Sequence, residues 1–310
     1  MQKTPTHIDQ KHAIVIGGSN MDICASSTDP LHMHDSNPGH IITSPGGVGR
    51  NIAENLARLG VETRLISAVG NDIYGNQILD KGTQSGINMD NVSVVEKMPT
   101  STYLSILDDQ NDMLVAVSDM GILEMINLVP HLELIKKSPL VIADTNLTEA
   151  TIDELIKAMS NQPLIIDTVS TSKAIKIIPY LRKIHTIKAN LAEAKVIAND
   201  EKDLNKIAAY LHQKGVTRVF ITLGPEGVFY SDGETSGTLK KEANDIVNTN
   251  GAGDAFTASL GYSWLQGWDL IKTAQFAICA SEVALAHEET INPEMLLDIV
   301  QKIKELEYGV

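Results

Sequence analysis

The chain has only two cysteines, Cys24 and Cys279, far apart and in no C-x-x-C spacing, which indicates neither a disulfide framework nor a zinc cluster. Positive charge is scarce too: 25 Lys and Arg stand against 39 Asp and Glu, for a net charge of −14. A nucleic-acid backbone is therefore a poor main partner, and any anionic ligand must be met by local dipoles and a few cations. No run of about 18 apolar residues occurs, and the polar stretch from Met1 to Gln10 has no apolar h-region. The expectation is a protein that neither spans a membrane nor is secreted, with the reducing cytoplasm as its setting. No internal repeat, low-complexity tract or P-loop of the G-x-x-x-x-G-K type is present, so a nucleotide would need another scaffold. His32 and His34 sit in a Pro/Gly-containing loop without further ligand spacing and read as solvated.

What is present is an ordinary globular composition, 43% hydrophobic and 21% charged, in a chain of 310 residues that can bury a large core. Short apolar runs without period-2 alternation, at 13–16, 63–69, 140–143, 164–166, 186–188 and 218–223, read as buried parallel strands. Helical patterns lie between them, at 49–59, 74–85, 148–160, 201–214, 253–265, 270–286 and 293–306. That alternation predicts one α/β domain over 1–310, a three-layer, doubly wound and mostly parallel sheet. Two regions break the rhythm, about 21–43 and 100–117, and read as short strands forming a small antiparallel β lid. Such a sheet needs cover for its apolar face, which closure over substrate or a second subunit can supply, and a homodimer through the lid is the expectation.

The most informative stretch is Thr249-Asn250-Gly251-Ala252-Gly253-Asp254-Ala255-Phe256, a glycine-bearing turn that opens a helical pattern. Glycines let a ligand approach the backbone, and the free N–H groups of the first helical turn, Ala252 to Ala255, attract anions. The same helix end favours ionised Asp254, which could then act as a base at neutral pH without a histidine. A plain capping role for Asp254 is an equal reading of these residues taken alone. A dinucleotide-binding turn fits poorly, because Phe256 stands at the third glycine position and Asp254 would face pyrophosphate. Ligands of such sheets bind at the carboxyl ends of the strands. There the sequence offers Asn20 and Asp22, the turn from Pro45 to Asn51, Asp167, Lys188 to Glu193, and Gly224 to Gly227.

Taken together, Gly46-Gly47-Val48-Gly49-Arg50-Asn51, Asn190-Leu191-Ala192-Glu193, Thr222-Leu223-Gly224-Pro225-Glu226-Gly227 and Asn250-Gly251-Ala252-Gly253-Asp254 resemble, in order and along nearly the whole chain, the ribokinase-like (PfkB) carbohydrate kinases. The resemblance implies ATP- and Mg²⁺-dependent phosphorylation of an alcohol, with Asp254 as the base and the amides of Gly251, Ala252 and Gly253 as the anion hole. It implies that Lys188, Asn190, Thr222, Gly224 and Gly227 meet the nucleotide. Asn190 and Glu193 would hold waters of the Mg²⁺, although at i and i+3 these two residues taken alone read rather as a helix cap and a surface carboxylate. Asn20, Asp22, Gly46, Gly47 and Asn51 would bind ribose hydroxyls, with Ser36, Ser118 and Lys173 toward the rest of the substrate. Within the family, Asp35-Ser36-Asn37-Pro38-Gly39, Ser67-Ala68-Val69-Gly70-Asn71-Asp72 and Asp167-Thr168-Val169-Ser170 followed by Lys173 are most similar to the branch acting on the 5′-hydroxyl of pseudouridine. Another sugar or nucleoside acceptor is the alternative, and a non-catalytic sugar sensor a third. Asn248 and Asn250 stand where many relatives have Asp and Thr, which weakens any K⁺ site and leaves a monovalent cation open.

Overall fold

A computed structural model of the chain describes residues 12–110, 112–240, 251–286, 290–293 and 295–308. In chain order the first half runs β1 (His12–Ile16), β2 (Asn20–Ser27), β3 (Gly39–Gly46), α1 (Val48–Arg58), β4 (Glu62–Gly70), α2 (Ile73–Gln84), β5 (Ile87–Asn88), β6 (Val92–Val95), β7 (Thr102–Leu107), β8 (Met113–Asp119) and α3 (Leu132–Lys137). The second half runs β9 (Val141–Asp144), α4 (Glu149–Ala158), β10 (Leu164–Asp167), α5 (Thr171–Ala174), β11 (Thr186–Asn190), α6 (Leu191–Ile197), α7 (Leu204–Gln213), β12 (Arg218–Thr222), β13 (Val228–Ser231), β14 (Ser236–Leu239), α8 (Ala252–Leu265), α9 (Leu270–Leu285) and α10 (Leu297–Tyr308).

All six expected strands join one ten-stranded sheet in the order β14-β13-β12-β11-β10-β9-β1-β4-β5, with β6 also on β4. From β12 to β5 the pairing is parallel; only the pairs β12–β13 and β13–β14, at one edge, are antiparallel, so β13 alone is reversed. The absence of alternation is explained by what covers the sheet. On β1, Ala13 and Val15 enter the core beneath α1, α8 and α9, while Ile14 and Ile16 enter the core beneath α4, α6 and α7. With both faces buried, the middle of each parallel strand is apolar on both sides, and the polar residues gather at the strand ends. Side-chain caps start four of the expected helices: Asp72 accepts from Gly75 N–H, Thr148 from Thr151, Asp203 from Lys206 and Asp269 from Lys272. The helix expected at 293–306 begins instead at Leu297.

The second sheet has four strands, β3-β2-β7-β8, close to the two expected segments. Its outer pairs are antiparallel as expected, whereas the central pair, β2 with β7, is parallel. The parallel pair arises because a long crossover through α1, β4 and α2 separates those strands, and only a hairpin forces antiparallel pairing. The registers put Ser44, Asp22, Tyr103 and Ser118 in one row, so they share a face. The opposite face carries Ile41, Ala25, Ile106 and Val115, flanked by Ile23, Leu104 and Val117. Part of that face is open, with Ile41 73% and Val117 62% exposed, while Ile23 at its inner end packs against the main core.

Candidate active site

The carboxyl edge of the parallel sheet gathers the polar residues. Registers align Asp144 of β9, Asp167 of β10 and Lys188 of β11 side by side, all buried, with Asn190 and Thr222 paired one step along on β11 and β12. Helix α8 points its N-terminus at this row. Lys188 Nζ donates to Asp167 Oδ2 at 3.1 Å, and Thr257, one turn beyond Asp254, donates to the same oxygen at 2.7 Å. Burial works against the Lys188 charge, but the carboxylates of Asp167 and Asp254 outweigh it and raise its pKa above the usual lysine value. Asp144 Oδ2 accepts the Gly18 N–H at 2.8 Å, and burial raises its pKa.

Gly251 is the N-cap of α8, in the left-handed region at φ 81°. A Cβ there would lie 1.9 Å from the Thr290 carbonyl oxygen, so only glycine fits. Helix geometry leaves the N–H groups of Ala252, Gly253 and Asp254 without intrahelical partners. The Ala255 N–H, expected among the free donors, is instead spent on the Gly251 carbonyl at 2.9 Å in the first turn of the helix. Asp254 is partly exposed to the cleft, and its Oδ2 accepts Asn51 Nδ2 at 2.8 Å.

The ionisation of Asp254 differs from the sequence expectation. Burial, then the nearby Asp167 charge, pushes its pKa up from 3.8 to about 7, against the lowering effects of Asn51 and Lys188. The favourable helix end is outweighed because the carboxyl shares a closely packed site with other carboxylates. A base with a pKa near the working pH is well matched to taking a proton from an alcohol. The shift also has a stability consequence. Above pH 3.8 the unfolded chain releases this proton while the folded chain keeps it until about pH 7, so ionisation costs stability across that window. Asp254→Asn is therefore expected to melt at an equal or higher temperature than the parent at pH 8; a lower melting temperature in a pH 8 thermal scan would contradict this.

Asn51 is the member of the expected hydroxyl-binding set that touches Asp254; it lies on α1, which opens after Gly46 and Gly47, and Gly46 pairs with Asn20 in the sheet register. Asn20 Nδ2 donates to Asp22 Oδ1 at 2.6 Å, and burial raises the Asp22 pKa against the pull of Asn20 and Arg50. A Cβ on Gly46 would sit 2.1 Å from Asp22 Oδ2, which shows how closely that turn passes the carboxylate. Ser118 lies in the row of Asp22, two strands away, on the same face. Ser36 sits in the exposed turn between β2 and β3, its N–H on Asp35 Oδ1 at 2.7 Å. Neither serine hydrogen-bonds to Asp22, Asn51 or Asp254. Lys173 is on α5, with Nζ donating to Asn146 Oδ1 at 2.5 Å; Asn146 in turn lies against Gly18.

Asn190 and Glu193 form a capping box on α6. Glu193 N–H donates to Asn190 Oδ1 at 2.9 Å and Asn190 N–H to Glu193 Oε2 at 2.8 Å, with Asn190 Nδ2 on Oε1 at 2.7 Å and Thr168 Oγ1 on Oε2 at 2.6 Å. These bonds use about three of the roughly four acceptor positions on the carboxylate. What remains suits a bond from a metal-held water rather than direct ligation. Among the described residues no cluster of three or more His, Cys, Asp or Glu could hold a metal ion by itself. Gly224 and Gly227 bracket a tight turn closed by Leu223 N–H on the Gly227 carbonyl at 2.9 Å, just past Thr222. Asn248 and Asn250 lie outside the described residues. A polar cavity of about 430 Å³ lies behind Arg50 and Glu54, between β3, α1, α2 and the 290–293 segment; Asp254 does not line it.

Asp144, Asn146 and Thr257 were not singled out by sequence. The first two follow an expected apolar strand and could have been found by the carboxyl-end rule; Thr257 sits at i+3 from Asp254 on the same helix face.

Comparison with known proteins agrees with the geometry. The pfkB family of carbohydrate kinases matches residues 10–295. A pseudouridine kinase of Escherichia coli (strain K12) is 38% identical, over 93% of this chain and 94% of its own. A sugar kinase of the same organism, YeiI, described as uncharacterized, is 35% identical over 94% of this chain and 82% of its own. The structure of Arabidopsis thaliana ribokinase complexed with ribose and ATP shares the fold, with a TM-score of 0.82 at 20% identity, covering 96% of this chain and 99% of that one. The chain, an α/β protein with a ribokinase-like central sheet and a separate small sheet, belongs to the pfkB family of carbohydrate kinases and is a phosphotransferase with an alcohol group as acceptor.

Proposed function

We propose that this kinase transfers the γ-phosphoryl group of MgATP to the 5′-hydroxyl of pseudouridine, giving pseudouridine 5′-phosphate and ADP. One observation carries the chemistry: Asp254, with a pKa of about 7, stands in the first turn of α8 beside amides that have no intrahelical partner. Asp254 takes the proton of the acceptor hydroxyl as its oxygen bonds the γ-phosphorus, and the bond from that phosphorus to the β-phosphate oxygen breaks. The amides of Gly251, Ala252 and Gly253 offset charge on the moving phosphoryl group. Bound Mg²⁺ supplies charge neutralisation on the phosphates, with Asn190 and Glu193 holding its waters. Lys188, Thr222, Gly224 and Gly227 border the nucleotide side, and Asn20, Asp22, Gly46, Gly47 and Asn51 the ribose side. Ser36 and Ser118 face the base, and Lys173 is a further substrate contact.

The acceptor assignment is supported by the 38% identity with a pseudouridine kinase. An ATP-coupled assay at equal concentrations of pseudouridine, uridine, ribose and fructose tests it. Pseudouridine is expected to give the highest kcat/KM, and preference for a free sugar would overturn it.

The exposed apolar residues Ile41, Val115 and Val117 on one face of the small sheet support a second copy of the chain as their cover. Sedimentation is expected to show a dimer that Val117→Asp dissociates. A parent protein that stays monomeric at high concentration would refute this.

A further inference from the structure

Resting on the kinase reading above, we infer that the buried Glu54–Arg50 pair is a positioning device that orients the Asn51 carboxamide and thereby the hydrogen bond holding Asp254. Arg50 and Glu54 sit on α1 at i and i+4, only 5% and 3% exposed. A surface pair at that spacing would merely support the helix by a few tenths of a kcal/mol. This one is built differently. Arg50 Nη2 is bonded to Glu54 Oε2, while Glu54 Oε1 also accepts Arg58 Nη2 at 2.6 Å, Arg58 Nε at 3.0 Å and Ser85 Oγ at 3.0 Å. The carboxylate is thus fixed from α1 and from the end of α2, and it fixes the guanidinium.

The other arm of Arg50 faces the site. Nη1 donates to the Pro45 carbonyl at 3.0 Å and to Asn51 Oδ1 at 3.2 Å. A carboxamide has one accepting end and one donating end, and a guanidinium only donates. Arg50 can therefore pair with Oδ1 alone, which turns Nδ2 toward Asp254 Oδ2 at 2.8 Å. With the amide reversed, two oxygens would face each other across that gap and an NH₂ would face the guanidinium. The bond to the Pro45 carbonyl fixes the plane of the guanidinium, so that Nη1 is held against Asn51 Oδ1. Lysine in its place would keep the charge but lose the planar fork that serves Glu54, Pro45 and Asn51 at once.

The test is a double-mutant cycle with a pH profile. Arg50→Lys is expected to lower kcat on the order of 10- to 100-fold in the parent, since small misplacements of a reacting group are costly. It should also move the acid limb of kcat to higher pH, because the Asn51 bond lowers the Asp254 pKa. In an Asn51→Ala background the same change should alter kcat less than about twofold, as expected when one residue acts through the other. Glu54→Gln is the second variant, expected to act in the same direction, and it carries the cycle if Arg50→Lys does not fold. Equal fractional losses in both backgrounds with an unmoved acid limb would overturn the inference. The parent is assayed first with the four acceptors. If it transfers no phosphoryl group from ATP, the kinase reading fails and this inference with it; additivity in an active enzyme defeats this inference alone.

Discussion

Asp254→Asn is expected to lower kcat by about 10²- to 10⁴-fold, the range that general-base catalysis supplies. The substitution keeps the shape of the side chain, and its amide oxygen can still accept from Asn51 Nδ2, so cleft geometry is preserved while the proton acceptor is lost. ATP affinity should stay within about twofold, because the residue contributes alignment of the hydroxyl rather than binding of the nucleotide. Isothermal titration for ATP and steady-state kinetics for turnover separate the two effects. Turnover within a few-fold of the parent would leave Asp254 only its place in the first turn of α8 and its bond to Asn51, and would contradict its role as the base.

Gly251→Ala should be nearly as damaging for another reason. At φ 81° a non-glycine residue pays about 1–2 kcal/mol, and the added methyl would meet the Thr290 carbonyl oxygen at 1.9 Å. The turn must open, which swings the amides of Gly251, Ala252 and Gly253 off their common target. Loss of a single donor of this kind typically costs about 10²–10³ in kcat, so a loss of at least that order is expected. Gly267→Ala is the control: φ is 71°, a Cβ there has nothing within 4 Å, and the residue is exposed just past the end of α8. It carries similar backbone strain without touching the site. It should lower the melting temperature and leave kcat unchanged, whereas equal loss of kcat in both variants would show that general destabilisation explains the first.

How much of this could be read in advance follows from the range of the interactions. The parallel strands were legible because burial on both faces writes continuous apolar runs into the chain, as at 140–143 and 164–166. β5, with two residues, and β14, Ser236–Leu239, carry too little pattern of their own and exist through their neighbours in the sheet. α6 is too short to write a helical period of its own, but Asn190 and Glu193 at i and i+3 read as a helix cap, and the structure makes them a capping box. Within the site, the turn at 251–254 and the residues around Asn20 and Asn51 announced themselves by glycine and amide clustering. The Asp254 pKa did not, since it depends first on burial and then on Asp167, 87 positions earlier in the chain, and both arise only on folding. The same holds for the row of Asp144, Asp167 and Lys188, which is created by strand register.

The pH dependence of kcat/KM with saturating ATP, compared between parent and Asp254→Asn, tests the central claim most directly. The account predicts an acid limb in the parent with a midpoint near 7, falling tenfold per unit below it, and no such limb in the residual activity of the variant. A parent profile flat from pH 5 to 8, or the same limb persisting after Asp254 is replaced, would contradict it.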